Sequence, residues 1–298
     1  MAQAHTVATN QHDPYYVPHS SKLAIYGSLT LFVLMAGAVA TLNAWLPIYS
    51  LVPGFIMLAS LFVSWFYVVI GENQHGMYNL AVDRSFRLGM MWFIFSEVMF
   101  FAAFFGALFY VRQLSVPWLS GDGTKIFTNL LLWKGYSGLW PSNGPAALGP
   151  HADGSFETVP ALGLPAINTA ILLTSSVTVT IAHHALIAGH RARLKVFLAL
   201  TFLLGFTFVC LQAVEYHEAY TALGLTLGTG IYGSTFFMLT GFHGLHVTVG
   251  AIMLTAIWFR VMNGHFTPQR HFGFEAVSWY WHFVDVVWLG LFIFVYWL

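Results

Sequence analysis

The sequence predicts an all-α membrane protein, a bundle of seven transmembrane helices. Hydrophobic residues make up 58% of the 298 residues and the mean hydropathy is +0.71. Charged residues make up only 7%, far below the roughly 25% of soluble domains. A soluble fold of this length cannot bury so much apolar surface, so the chain must be solvated by lipid. Because apolar segments follow one another through most of the sequence, we treat residues 1–298 as a single membrane domain.

Seven segments are long enough to cross the hydrocarbon core, which takes about 20 apolar residues of helix. In chain order they are Leu23–Trp45, Leu51–Ile70, Phe86–Val111, Leu162–His184, Val196–Tyr216, Gly230–Phe259 and Gly273–Trp297. A polar segment, 1–22, precedes them, and a long connection rich in glycine and proline, 112–160, separates the third from the fourth. The short turn at Leu46, Pro47 and Ile48 makes the first two helices antiparallel neighbours. Small residues recur in the fourth and sixth segments, which predicts that these helices pack closely on protein.

The distribution of basic residues predicts the orientation, because cytoplasmic segments carry an excess of lysine and arginine. With the N-terminus inside, the inner segments hold Lys22, Arg84, Arg87, Arg191, Arg193, Lys195, Arg260 and Arg270. The outer side then holds only Arg112, Lys125 and Lys134, all within the connection 112–160. We therefore expect the N-terminus inside and the C-terminus outside.

The charge balance and the cysteine content argue against several function classes. Eleven basic and eleven acidic residues leave no net field that would attract nucleic acid. The single cysteine, Cys210, allows no intrachain disulfide. No internal repeat is visible, which argues against a transporter built from two inverted halves.

Five ionisable side chains are predicted to share one depth, near the centre of the bilayer. They are Glu97, His243, His246, His282 and Asp285. Glu97, for example, lies ten residues beyond Arg87, about 15 Å along a helix axis. Ionisable groups at this depth are costly and therefore indicate function.

Three interpretations of this mid-membrane group remain open from the residues alone. A metal or haem site is possible, because His243 and His246 are three residues apart and face the same way on a helix. A proton-handling site and a polar network that joins helices are the other two. Neighbouring glycines at Gly241, Gly244 and Gly250 favour close helix packing over a haem-sized cavity.

Five stretches of the chain match a known protein family, in the same order along the sequence. They are RLGMMWFIFSEVMFF from Arg87, LPAINTAILLTSSVTVTIAHH from Leu164, LQAVEY around Glu215, YGSTFFMLTGFHGLHV from Tyr232 and HFGFEAVSWYWHFVDVVWLG from His271. With these stretches, the chain from Tyr15 onward resembles subunit III of bacterial cytochrome c oxidases. The last stretch is the most specific.

The resemblance implies a subunit that carries no redox centre and no metal, since haem and copper belong to subunits I and II. It implies a V-shaped bundle with a cleft between helices 1–2 and helices 3–7 and with phospholipid in the cleft. Subunit I would be the direct partner, with subunit II and small subunits in the same complex. In that family the subunit keeps proton uptake into subunit I rapid and protects the catalytic site during turnover. Glu97 matches the third-helix glutamate of the family that reacts with carbodiimide.

The resemblance also implies residues that contact lipid. Trp65, Glu72 and His75 match lipid-contacting residues of the second helix and its exit, and Arg260 matches the arginine that ends the sixth helix. Residue type alone makes Arg87 and Arg260 candidates for binding lipid phosphate, because a guanidinium forks onto phosphate oxygens. The alternative for both arginines is a topogenic role.

We therefore expect a non-redox core subunit of a proton-pumping cytochrome c oxidase. The long polar N-terminal segment and the long outer connection indicate a bacterial inner membrane as its location. Subunit III of a quinol oxidase is one alternative. A stand-alone transporter or proton channel using Glu97 and the mid-membrane histidines is a second, and an enzyme with its own metal or haem is a third.

Overall fold

The computed structural model describes residues 15–17, 21–151 and 154–298, and these residues form helices and connections without any β-strand. Seven of the helices are long and apolar enough to cross a membrane. We label them α1 (Leu23–Leu42), α2 (Val52–Gln74), α3 (Leu80–Tyr110), α4 (Leu164–Ile187), α5 (Arg191–Thr221), α6 (Gly230–Met262) and α7 (Phe272–Leu291). The predicted all-α fold with seven spans is thus confirmed. Most of the predicted polar segment 1–22 lies outside the described residues.

Several helices extend beyond the predicted spans. α3 begins at Leu80 rather than at Phe86, and α5 covers Arg191–Thr221 rather than Val196–Tyr216. The reason is that the predicted spans include only the apolar residues that cross the hydrocarbon core. The helix itself continues into the membrane interface for as long as its backbone hydrogen bonds continue.

The connection predicted at 112–160 is partly helical, which corrects its starting point. A π-helical turn, Val111–Ser115, and a short α-helix, Val116–Ser120, continue α3 as far as Ser120. Pro117 does not end the helical stretch, since it occupies one of the first positions of the short helix, where a missing N–H breaks no helical hydrogen bond. The irregular connection to α4 therefore begins at Gly121.

Packing divides the chain into two compact units, Met1–Leu88 and Gly89–Leu298. In the first unit α1 and α2 pack against each other, as the short turn between them predicts. Gly54 permits their close approach, because a Cβ at this position would lie 2.7 Å from the Cα of Leu34. A hydrogen bond of 2.5 Å between the hydroxyls of Tyr26 and Ser60 joins the same two helices.

The second unit is held together by tryptophans of α7. The ring of Trp281 is fully buried and lies against Gly205 of α5 and Gly250 of α6. Its indole N–H donates to Ser175 of α4 at 2.9 Å. α4, α5, α6 and α7 thus meet around one side chain. The small residues predicted to mark close packing in the fourth and sixth spans do so here.

Candidate functional site

The partly buried carboxylate of Glu97 pairs with a histidine on another helix. Its Oε2 lies 2.9 Å from Nε2 of His246 on α6. The other ring nitrogen of His246, Nδ1, lies 2.6 Å from the carbonyl oxygen of Phe242. Because a carbonyl only accepts, Nδ1 carries a proton. One further proton must then lie between Nε2 and the carboxyl group, in either a neutral acid–imidazole pair or an ion pair.

Aromatic rings surround the Glu97–His246 pair. The imidazole of His246 lies 5.0 Å from the ring of Phe101, measured between centroids, and 6.4 Å from the rings of Tyr280 and Phe283. Such an apolar shell keeps water away and strengthens the hydrogen bond inside it. The pair is therefore suited to hold one proton and to fix α3 against α6.

His243 makes a different set of contacts. Its side chain is fully buried, and its Nε2 lies 3.1 Å from the carbonyl oxygen of Val284, to which it donates. Its ring packs against Trp288 at 5.1 Å and against Phe208 at 5.6 Å. Nδ1 has no hydrogen-bond partner among the described residues. These contacts join α5, α6 and α7.

His282 and Asp285 contribute to neither of these sites. Nε2 of His282 lies 3.4 Å from the hydroxyl of Thr180 on α4, and Oδ1 of the buried Asp285 has no hydrogen-bond partner among the described residues. Glu97, His243, His246, His282 and Asp285, which the sequence groups at one predicted depth, therefore form no single hydrogen-bonded network within the described part of the chain. The reason is that successive helical residues turn by about 100°, so residues at one depth point to different neighbours.

Glu72, predicted to contact lipid, accepts hydrogen bonds from two tyrosines of its own unit. The hydroxyl of Tyr78 donates to Glu72 at 2.7 Å and that of Tyr16 at 3.0 Å. Burial, together with the hydrogen bond to Glu72, raises the pKa of both tyrosines above the ordinary value. His75 donates Nδ1–H to the carbonyl of Gly71 at 2.6 Å. Trp65 of the same helix is 52% exposed, as expected of a lipid-facing side chain.

The two candidate arginines differ in their partners. Nε of Arg87 donates to the carboxylate of Asp83 at 2.8 Å, one helical turn away. The guanidinium of Arg260 lies over the ring of Phe266, 4.4 Å from its centroid. Nε of Arg260 is buried and has no hydrogen-bond partner among the described residues. Arg260 is therefore the better placed of the two to receive an external anion.

Most of the sequence matches a protein-family model. A family model described as cytochrome c oxidase subunit III matches residues 12–120 and 133–298. The chain belongs to the cytochrome c oxidase subunit III family. It is 38% identical over 289 residues to "Cytochrome c oxidase subunit 3" of Coturnix japonica, and the alignment covers 97% of this chain and 98% of that protein. The proteins of the same name from Oryctolagus cuniculus and Danio rerio are 38% and 39% identical, again over 97% of this chain and 98% of theirs.

Family membership makes this chain a subunit of an oxidoreductase complex. Between the two matched ranges, residues 121–132 are unmatched, and they lie where the irregular connection follows the extended α3.

Glu215 is more deeply buried than an interfacial glutamate, which sequence reasoning missed. It is 1% exposed, and its Oε1 accepts hydrogen bonds from Tyr296 at 2.6 Å and from Gln212 at 3.1 Å. The signal available in the sequence was the tyrosine near the chain end, since the fifth and seventh spans run in the same direction and therefore end on the same side. This carboxylate anchors the end of the α7 helical stretch to α5.

A second cluster that sequence reasoning missed combines two histidines and a glutamate of the subunit III chain. A ligand atom from each of His183, His271 and Glu275 lies within 4.8 Å of the other two. The signal in the sequence was the four-residue spacing of His271 and Glu275 at the start of the seventh span, on the side of the membrane where the fourth span ends.

Proposed function

We propose that this chain is a non-redox core subunit of a proton-pumping cytochrome c oxidase, in which the whole complex reduces oxygen to water. The single observation that carries the proposal is membership of the subunit III family over 97% of the chain. Subunit I would be its direct partner, with subunit II and small subunits in the same complex. Haem and copper would reside in those partners. The bacterial inner membrane is the proposed location.

Within that role, the Glu97–His246 pair would keep the helix bundle in the form that subunit I recognises. The pair joins α3 to α6 through one hydrogen bond of 2.9 Å in an aromatic shell. A shared proton in this place stabilises the helix pair whether or not it ever exchanges. We therefore propose that the subunit sustains proton uptake by supporting subunit I, without conducting protons through Glu97.

Phospholipid binding is the second part of the proposal. Arg260 lies in the last turn of α6, its buried Nε has no hydrogen-bond partner among the described residues, and a lipid phosphate would supply the missing acceptor. Trp65, Glu72, His75 and Arg87 are the proposed lipid contacts of the first unit. Glu72 and Asp83 are acidic, so in that unit a headgroup with an amine would fit better than one with a net negative charge.

Co-purification tests the assignment to an oxidase. The chain would be tagged at its C-terminus, extracted from membranes in mild detergent and captured. We expect a haem–copper subunit to be captured with it in a one-to-one ratio, together with the haem absorption bands. Capture of the intact chain alone would favour a stand-alone transporter. Capture with a complex that oxidises quinol but not cytochrome c would identify a quinol oxidase subunit.

A further inference from the structure

Three polar side chains near the predicted outer ends of α4 and α5 are buried and carry atoms without hydrogen-bond partners. Asn168 of α4 is fully buried, and Gln212 and Glu215 of α5 are 5% and 1% exposed. Both amide atoms of Asn168, Oε1 of Gln212 and Oε2 of Glu215 have no partner among the described residues. Because buried polar groups are normally hydrogen-bonded, such a set on two neighbouring helices indicates a bound group.

The contacts of Trp281 show that these side chains lie at the same level. Its indole N–H donates to Ser175 of α4, and its ring lies against Gly205 of α5. Asn168 precedes Ser175 by about two helical turns, and Gln212 follows Gly205 by the same distance. Since α4 and α5 are antiparallel neighbours, both steps lead towards the same end of the bundle on the same helix faces. Asn168 and Gln212 therefore lie opposite each other.

A cavity of about 200 Å³ lies beside this polar set. Two glutamates, Glu215 and Glu218, line it together with apolar residues of the connection before α4 and with Leu223. Leu164, which also lines the cavity, precedes Asn168 by one turn of α4, and the exposed Glu218 lies about one turn beyond Glu215. The cavity therefore gives an ion from the aqueous phase access to the buried carboxyl group.

The carboxyl group of Glu215 has no basic partner in the described part of the chain. Its Oε1 accepts from the hydroxyl of Tyr296 at 2.6 Å and from the amide of Gln212 at 3.1 Å, and both donors are neutral. No described lysine, arginine or histidine lines the cavity. The start of α4 and the end of α5 carry about half an elementary charge each, of opposite sign, so they cancel. A buried carboxylate then needs a metal ion or a proton.

We propose that Glu215, Gln212 and Asn168 bind one hard cation of the Ca²⁺ class through their side-chain oxygens. Carboxylates, amide carbonyls and water are the ligands of Ca²⁺, about six to eight oxygen atoms in all. The unpaired oxygens of the three side chains would provide part of this set, and water in the cavity would provide the rest. The amide nitrogen of Asn168 would donate to one of these waters. Since the set contains neither imidazole nor thiolate, it does not favour a metal of the Zn²⁺ class.

The ion would join three helices at one end of the bundle. Asn168 lies on α4, Gln212 and Glu215 lie on α5, and Tyr296 at the end of the α7 helical stretch donates to the same carboxyl group. This inference departs from the expectation that the chain holds no metal, and it is independent of the proposed role in an oxidase. Its rival is a neutral Glu215, in which Oε2 carries a proton and only water occupies the cavity.

Calcium titration of the intact complex captured with this chain tests the site. The complex is treated with a chelator, and Ca²⁺ is titrated against a competing indicator. Glu215→Gln keeps an acceptor for Tyr296 but removes the charge, so it should weaken one Ca²⁺ site by more than about tenfold, since the loss of an outer partner alone costs about 10–100-fold. Asn168→Asp should strengthen the same site, because a second carboxylate adds charge; an amide with a purely structural role would not give this result. Glu157→Gln, an exposed glutamate whose backbone N–H donates to Leu223, is the matched control and should leave the titration unchanged.

Equal Ca²⁺ binding by the unmodified, Glu215→Gln and Asn168→Asp complexes would overturn the site, and so would an equal loss in the Glu157→Gln control. A measurement without any variant covers the case in which substitution prevents assembly. A hydrophobic carbodiimide modifies protonated carboxyl groups, and mass spectrometry locates the product. Ca²⁺ should protect Glu215 and leave the reaction at Glu97 unchanged. A Glu215 that reacts equally with and without Ca²⁺, or that does not react at all, would contradict the proposal.

Discussion

At the scale of single residues, the pairing of Glu97 with His246 depends on one proton between two heavy atoms 2.9 Å apart. Nδ1 of His246 is already committed to the carbonyl of Phe242, so Nε2 is the only ring nitrogen that can meet the carboxyl group. If the imidazole is neutral, Glu97 must be the donor. In that case, a side chain at position 97 that donates an N–H to Nε2 of His246 can replace the carboxyl group.

Glu97→Gln should therefore preserve the helix packing, because the amide has the size of the carboxyl group and donates to Nε2 of His246. Glu97→Leu should destabilise the subunit by about 1–3 kcal/mol, the usual effect of leaving one buried polar atom unpaired. Thermal unfolding of the purified complex and the amount of this subunit retained would be measured for both variants. Equal loss of the subunit in Gln and Leu variants would show that an ion pair, not a neutral hydrogen bond, holds α3 to α6.

The sequence predicts the position of a side chain along the helix axis better than the direction in which it points around that axis. A rise of 1.5 Å per residue fixes depth, so Glu97 and His246 could be expected at one level. Rotation about the axis could not be predicted for α3, because apolar residues occupy all its faces and exposed Trp92 and Phe95 look like core residues in the sequence. The sequence therefore groups His243 with His246, although His243 contacts the backbone of α7 instead.

At the scale of helices, the packing of the second unit depends on glycines facing a tryptophan. A Cβ at Gly250 would lie 2.8 Å from the ring of Trp281, and one at Gly205 would lie 2.6 Å from it. The ring is fully buried and hydrogen-bonded to Ser175, so it has little freedom to move. The sequence indicates close packing through its small residues, but the partner of each glycine emerges only from the fold.

Gly250→Ala should consequently destabilise the second unit by about 1–3 kcal/mol through overpacking. Gly244 provides a matched control on the same helix, since a Cβ there would meet nothing within 4 Å. Gly244→Ala should be neutral or slightly stabilising, because alanine favours a helix by up to about 1 kcal/mol over glycine. Thermal unfolding of the two variants side by side checks the difference. Identical midpoints would contradict the packing argument.

At the scale of the whole molecule, the seven spans follow from length and hydropathy, and their assembly depends on the surrounding lipid and partner subunits. Many large apolar side chains of α1 and α2 are exposed in the isolated chain, including Phe32, Phe62 and Tyr67. Lipid or another subunit must cover these surfaces in the membrane. The placement of the N-terminus inside, the C-terminus outside and a V-shaped cleft between helices 1–2 and 3–7 remain predictions. A phospholipid bound at Arg260, near the C-terminal end of α6, is the prediction that links these surfaces to the activity of the oxidase.

Arg260→Ala should release a phospholipid from the complex while leaving the fold intact. The guanidinium is partly shielded by Phe266, and a charge-assisted contact with phosphate contributes about 1.5–3 kcal/mol in such surroundings. A loss of that size corresponds to a roughly ten- to hundredfold weaker hold on the lipid. If the lipid helps to seat the subunit on subunit I, the variant oxidase should start at normal activity and lose it progressively during turnover.

Lipid content by mass spectrometry and activity over many turnovers are the two measurements. Arg193→Ala, an exposed basic residue on the same predicted side of the membrane, is the control and should change neither. Unchanged lipid content and turnover lifetime in Arg260→Ala would leave Arg260 with a topogenic role alone.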